Sequence, residues 1–199
     1  MSQALNAAEL AQRLGAGEAA LFPTDTLPAL AAAPEAAEQL WRLKQRPEHK
    51  PVILMAANAD SLWTCLGLAV RPQWRQLAHQ HWPGALTLVL PAQGRLLQYL
   101  NPGGRSLGLR VPACPAALEL LAASGPLATT SANRSGEPPC LSAEQAGQQF
   151  PGVPLLGPLP WPQPAGLAST VVEWLEEQGR WQLLRAGAVM PAALQQASP

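Results

Sequence analysis

The chain has 199 residues, 48% apolar and 13% charged, with 13 Lys and Arg balancing 13 Asp and Glu. This composition excludes disorder driven by charge and polarity, and the zero net charge excludes a global basic field for nucleic acid, so any anion site must be assembled locally. The length suits one domain with a full core, and three widely spaced cysteines (Cys65, Cys114, Cys140) without a Cys-x-x-Cys pair argue against a disulfide scaffold or structural zinc and for a reducing cytosol.

In chain order, the spacing of Leu10 and Leu14 predicts a helix over residues 7–14, with Asn6 as N-cap and Gly15 past its end. No basic leader with an apolar core precedes it, so no signal peptide is expected. Residues 18–23 read as a short buried strand. Pro34 opens a second helix running to about Arg46, and residues 52–56 form an apolar strand. Residues 60–67 and 72–81 read as helices. Residues 85–90 and 107–111 read as strands, 116–123 as an amphipathic helix and 127–130 as another strand. A helix over 142–150 follows. The uncharged stretch from Pro151 to Val172 carries six prolines, which would break a membrane helix repeatedly, so it reads as a crossing loop. Residues 170–175 and 180–184, joined through Gln178-Gly179, form a terminal hairpin. Strands alternating with helices predict an α/β fold in a single domain, and the hairpin makes its sheet mixed. A soluble, cytoplasmic protein is the expectation.

Phosphate-loop, dinucleotide-turn and nucleophile-elbow motifs are missing. His79 and His81 stand two apart, on different helix faces, which suits surface histidines better than a zinc pair. The two lysines, against eleven arginines, both fall in Lys44-Gln45-Arg46-Pro47-Glu48-His49-Lys50. Three cations in seven residues suit an anion such as phosphate, or merely complement the dipole of a helix end. The run Thr129-Thr130-Ser131-Ala132-Asn133-Arg134-Ser135-Gly136 follows a strand, where α/β folds place ligand loops; it reads equally as a turn capping its own backbone. Asp25, in Pro23-Thr24-Asp25-Thr26, reads as a ligand to a metal or an ammonium, or as an Asx-turn. Arg110, ending an apolar strand, needs a partner, either structural or a ligand carboxylate.

In this order the clusters resemble the YrdC-like family of threonylcarbamoyl-AMP synthases. The resemblance rests on residues 23–26, Lys44-Gln45-Arg46-Pro47 with Lys50-Pro51, Trp82-Pro83-Gly84-Ala85-Leu86-Thr87, Leu109-Arg110-Val111-Pro112, Ser131-Ala132-Asn133 with Ser135-Gly136, and Ser169-Thr170-Val171. It spans residues 19–189. It implies a twisted mixed sheet with flanking helices and a concave basic cavity. The implied reaction joins L-threonine, bicarbonate and ATP, with Mg²⁺, to give threonylcarbamoyl-AMP and pyrophosphate. That product feeds threonylcarbamoylation of the tRNA adenosine beside the anticodon, through a downstream transferase complex. By the same resemblance Arg46 and Lys50 are catalytic and hold the ATP phosphates with Lys44 beside them. Ser106, Thr129, Ser131, Asn133 and Arg185 contact the nucleotide; Thr26, Arg110 and Ser169 hold threonine. No direct protein ligand to a metal is expected.

Where the family continues with an aromatic residue and Gly-Leu, this chain has Leu27-Pro28-Ala29-Leu30, and Met55 stands where some members carry histidine. The extra C-terminal domain of longer members is not expected. Two alternatives therefore stay open: a member that has lost synthesis and binds nucleotide or double-stranded RNA, and an enzyme making another carbamoyl-adenylate.

Overall fold

The computed structural model describes residues 3–45 and 50–195. A two-residue strand, β1 (Ala4–Leu5), leads into α1 (Ala7–Gly15). Asn6 starts that helix through a capping box: its side chain accepts from the Glu9 amide and the Glu9 carboxylate accepts from the Asn6 amide, each at 3.0 Å. Strands β2 (Ala20–Phe22) and β3 (Ala29–Ala32) pair antiparallel, and a 3₁₀ turn at Pro34–Ala36 precedes α2 (Glu38–Lys44). The single helix expected from Pro34 is thus broken into two pieces.

Next come β4 (Ile53–Met55), α3 (Ala59–Trp63), α4 (Pro72–His81), β5 (Leu86–Pro91), α5 (Arg95–Leu100) and β6 (Ser106–Arg110). They are followed by α6 (Pro115–Ser124), β7 (Leu127–Ser131), α7 (Ala143–Gln149), β8 (Leu155–Leu156), the hairpin β9 (Thr170–Leu175) and β10 (Arg180–Arg185), and α8 (Ala192–Gln195). Among the described residues, no helix is long and apolar enough to cross a membrane.

Among the described residues, all ten strands join one mixed sheet in the order β1-β8-β2-β3-β7-β4-β6-β5-β9-β10. Strand β3, which the sequence reading left unassigned, lies between β2 and β7. Its Ala-Leu-Ala-Ala composition favours helix intrinsically. Pairing on both edges and burial of every residue override that preference.

The sheet has two differently used faces, set by the two-residue period of its strands. One face presents Leu30, Leu54, Leu88, Leu109 and Val172 to Leu40, Trp74 and Leu77 of α2 and α4, forming the larger core. Fully burying each such side chain contributes roughly 1.5–3 kcal/mol. On the other face, Leu10 and Leu14 of α1 and Leu120 and Leu121 of α6 cover Phe22, Ala29, Ala31 and Leu127. The rest of this face, from β7 across β4, β6 and β5 to β9, carries the site.

Candidate active site

The registers bring the ends of distant segments onto that second face. Ser131 pairs with Ala29, Thr129 with Ile53, Ile53 with Gly108, Met55 with Arg110, and Thr87 with Val171. They surround a cavity of ≈ 250 Å³ lined by Thr26, Thr87, Arg110, Thr129, Thr130, Ser131, Ser169 and Arg185 among its polar groups. Its apolar wall includes Leu27, Pro28, Ile53 and Met55. The volume suits a ligand of amino-acid size, with anything larger reaching outward.

Arg110 is the centre of this arrangement. Its residue is 2% exposed, yet every nitrogen of its guanidinium has a partner. Nε donates to the Gly84 carbonyl at 3.0 Å, Nη1 to Thr26 Oγ1 at 2.7 Å and Nη2 to Asp25 Oδ1 at 2.7 Å. Burial pulls its pKa below the ordinary value; the charge and hydrogen bond of Asp25 oppose that, while the positive charge of Arg185 adds to it. Arg110 and Arg185 therefore feel each other across the cavity, with Asp25 as the counter-charge. Asp25 also accepts from the Ala113 amide at 2.9 Å, which ties the loop after β2 to the start of α6. The structure gives Asp25 a partner that the sequence reading did not name, the Arg110 guanidinium.

Thr26 is set by Thr24, whose hydroxyl donates to the Leu27 carbonyl at 2.7 Å and accepts from the Thr26 amide at 3.1 Å. Across the cavity the Thr87 and Ser169 hydroxyls lie 2.9 Å apart. Arg185 Nη2 donates to the Ser169 carbonyl at 2.8 Å. Burial lowers the pKa of Arg185 as well.

Of the residues singled out from sequence, Thr26, Arg110, Thr129, Ser131, Ser169 and Arg185 converge on this one cavity. Lys44 departs from the expectation. Its residue is 2% exposed, and its ammonium donates to the carbonyls of Ser131 and Asn133, while its own carbonyl accepts from the Ser135 amide at 3.0 Å. The cation expected beside phosphates is instead inside the protein, fastening the end of α2 to the loop after β7. Its charge also reaches Cys140, opposing the burial that pushes that thiol's pKa up.

Lys50 is exposed, directly before Pro51 of the cavity wall, with its carbonyl fixed by Trp41 Nε1 at 2.8 Å. Asn133 spends its side chain on its own loop: Oδ1 accepts from Ser131 Oγ at 2.6 Å and Nδ2 donates to the Glu137 carbonyl at 2.8 Å. Ser106 starts β6, outside the cavity lining. Arg46 lies outside the described residues. Sequence reasoning assigned no role to Thr87, although it closes the Trp82–Thr87 motif that carries the family resemblance. It left Asp25 without its partner, because Asp25 and Arg110 are 85 residues apart.

The Sua5/YciO/YrdC family model, whose description reads "telomere recombination", matches residues 12–187. A threonylcarbamoyl-AMP synthase of Vibrio parahaemolyticus is 32% identical over 150 residues, covering 73% of this chain and 81% of the relative. The chain belongs to this family. P. abyssi Sua5, solved in complex with L-threonine, superposes with a TM-score of 0.80 at 28% identity over 94% of this chain. The chain spans 56% of that Sua5. E. coli YciO, at 23% identity, shares the fold over 97% of this chain and 99% of its own, with a TM-score of 0.83. The mixed open sheet with flanking helices is thus the family architecture.

Proposed function

We propose that this chain is a threonylcarbamoyl-AMP synthase, making threonylcarbamoyl-AMP and pyrophosphate from L-threonine, bicarbonate and Mg–ATP. The observation that carries the reading is Arg110: a buried guanidinium clamped by Asp25, Thr26 and Gly84 at the wall of an amino-acid-sized cavity. Each of its terminal nitrogens has a second N–H, and a carboxylate is the partner that such a fork matches. The family relatives' name and the L-threonine held by the P. abyssi protein support the same substrate.

In this reading Arg110 and Thr26 orient the threonine carboxylate, and Ser169, held by Thr87 and Arg185, takes the opposite side. The amino group attacks bicarbonate, forming a C–N bond and losing water. A carbamate oxygen then bonds to the α-phosphorus as the α–β phosphoanhydride breaks and pyrophosphate leaves. No protein nucleophile is needed; positioning and cations carry the rate. Arg46 and Lys50 supply cations to the phosphates, and Arg185, Thr129 and Ser131 hold the nucleotide, with Ser106 and Asn133 at its margins. Mg²⁺ enters with ATP and neutralises its phosphates. Lys44 acts from behind, by fixing the end of β7, which carries Ser131, and the loop after it.

The product serves tRNA threonylcarbamoylation in the cytoplasm, through a transferase complex. Calorimetric titration with L-threonine tests the site. Binding to the wild-type chain that is lost in Ser169→Ala and Arg110→Lys supports it, and a wild-type chain that binds ATP but no L-threonine refutes it in favour of nucleotide or RNA recognition.

A further inference from the structure

Two of the cavity groups, Ser169 and Arg185, flank the paired strands β9 and β10, and the chain leaving β10 can lie against Ser169 because one residue lacks a side chain. That residue is Gly187. A Cβ there would lie 2.3 Å from the Ala168 carbonyl oxygen, 2.5 Å from the Ser169 carbonyl carbon and 2.6 Å from its oxygen. All three are backbone atoms, so no rotamer change relieves the clash. Gly187 is not in the left-handed region, so space and not conformation demands glycine here. The same junction is fastened on both sides. The Ala188 amide donates to the Ala168 carbonyl at 3.0 Å, the Val189 amide to Thr170 Oγ1 at 3.3 Å, and the Thr170 hydroxyl to the Val189 carbonyl. Just upstream β10 has a bulge. Leu183 pairs with Val172 but Arg185 with Val171, so Leu184 is the extra residue and Arg185 shares the cavity face with Val171.

We propose that Gly187 is a positioning residue for amino-acid binding. It lets the exit of β10 lie against the Ala168–Ser169 peptide, so that Arg185 holds the Ser169 carbonyl and the Ser169 hydroxyl meets Thr87. The proposal rests on the reading of the cavity as an L-threonine site.

The test compares Gly187→Ala with Gly67→Ala, where a Cβ would lie 2.6 Å from the Gln93 carbonyl oxygen, outside the cavity lining. Both substitutions crowd backbone and lower stability. L-Threonine affinity, measured by calorimetry on the full chain, falls about tenfold in Gly187→Ala and stays within about twofold in Gly67→Ala. Unchanged affinity in Gly187→Ala, or equal losses in the two variants, overturns the proposal. Should Gly187→Ala not fold, Thr170→Val loosens the same junction without added volume, and the same loss of affinity is expected. A crystal structure of either variant reads the geometry without any ligand. Separation of Arg185 from the Ser169 carbonyl supports the positioning role, and an unchanged contact overturns it. A wild-type chain that binds no L-threonine contradicts the functional reading, while the crystal structure still decides the role of Gly187.

Discussion

Replacing Asp25 by asparagine removes one charge and almost no volume, which makes it the sharpest probe of the site. Asp25 Oδ1 accepts two hydrogen bonds, from Arg110 Nη2 at 2.7 Å and from the Ala113 amide at 2.9 Å. An amide oxygen keeps both acceptor positions, but the bond from Arg110 loses one of its two charges and the bond from Ala113 its only one, at a cost of about 1 kcal/mol each. The guanidinium it leaves behind is 3% exposed and has lost its counter-charge, whereas the carboxylate was 18% exposed and partly hydrated. Breaking a fully buried pair costs about 3–5 kcal/mol; with the acceptor retained and the carboxylate partly wet, Asp25→Asn should cost about 2–3 kcal/mol. Urea unfolding of the two proteins measures this directly. The freed guanidinium also loses its orientation, so the KM for L-threonine rises severalfold in a pyrophosphate-release assay. Stability within about 0.5 kcal/mol of wild type, the range of an ordinary surface substitution, would refute the clamp.

Lys44 and Lys50, six residues apart, should separate cleanly. Lys44→Met removes a buried donor to two carbonyls and lowers stability by about 1–3 kcal/mol, while Lys50→Ala leaves the unfolding midpoint unchanged and lowers kcat by about 10²-fold or more. The opposite pattern would exchange their roles. Gln45 holds a left-handed conformation at the end of α2, with φ 52°, so Gln45→Gly should stabilise the protein by about 0.5–1 kcal/mol in the same unfolding assay. A loss of stability there would mean that the Gln45 side chain does something the backbone does not require. Burial lowers the pKa of His81 from its ordinary 6.5, so the unfolded chain binds the proton more readily. Its contribution is present above that pH and is lost as pH falls through it, so acid lowers the unfolding midpoint less in His81→Gln than in wild type. Equal slopes for the two proteins would contradict this.

The sequence made α1 plain through the Leu10 and Leu14 spacing with Asn6 as N-cap, and in the structure Pro72 stands at the first turn of α4, where the 72–81 helix was expected. The hairpin of β9 and β10 was plain from its alternation around Gln178-Gly179. Strand β3 was not, because an alanine-rich run says nothing about strands, and its neighbours β2 and β7 supply the pairing from far along the chain. Strands β1 and β8, two residues each, carry no pattern to read. At the site, residue type was informative at and beside strand ends: Thr26 after β2, Arg110 and Ser131 closing β6 and β7, and Ser169 just before β9 all meet. What local sequence could not show is which charges have already found partners. Lys44 looked like a phosphate cation because three cations fall within seven residues. Its actual partners, the Ser131 and Asn133 carbonyls, lie 87 and 89 residues away. Asp25 was ambiguous for the same reason. Leu27 and Pro28, the departure from the family pattern, fall on the cavity wall, where the Pro28 carbonyl accepts from the Ala132 amide at 2.8 Å. That segment leads directly into β3, an interior strand of the sheet.

Pyrophosphate release from Mg–ATP, with L-threonine and bicarbonate each present or withheld, tests the central claim most directly. The account predicts release that requires both co-substrates and collapses in Lys50→Ala. Release independent of L-threonine, or none from a folded protein that binds ATP, would contradict it.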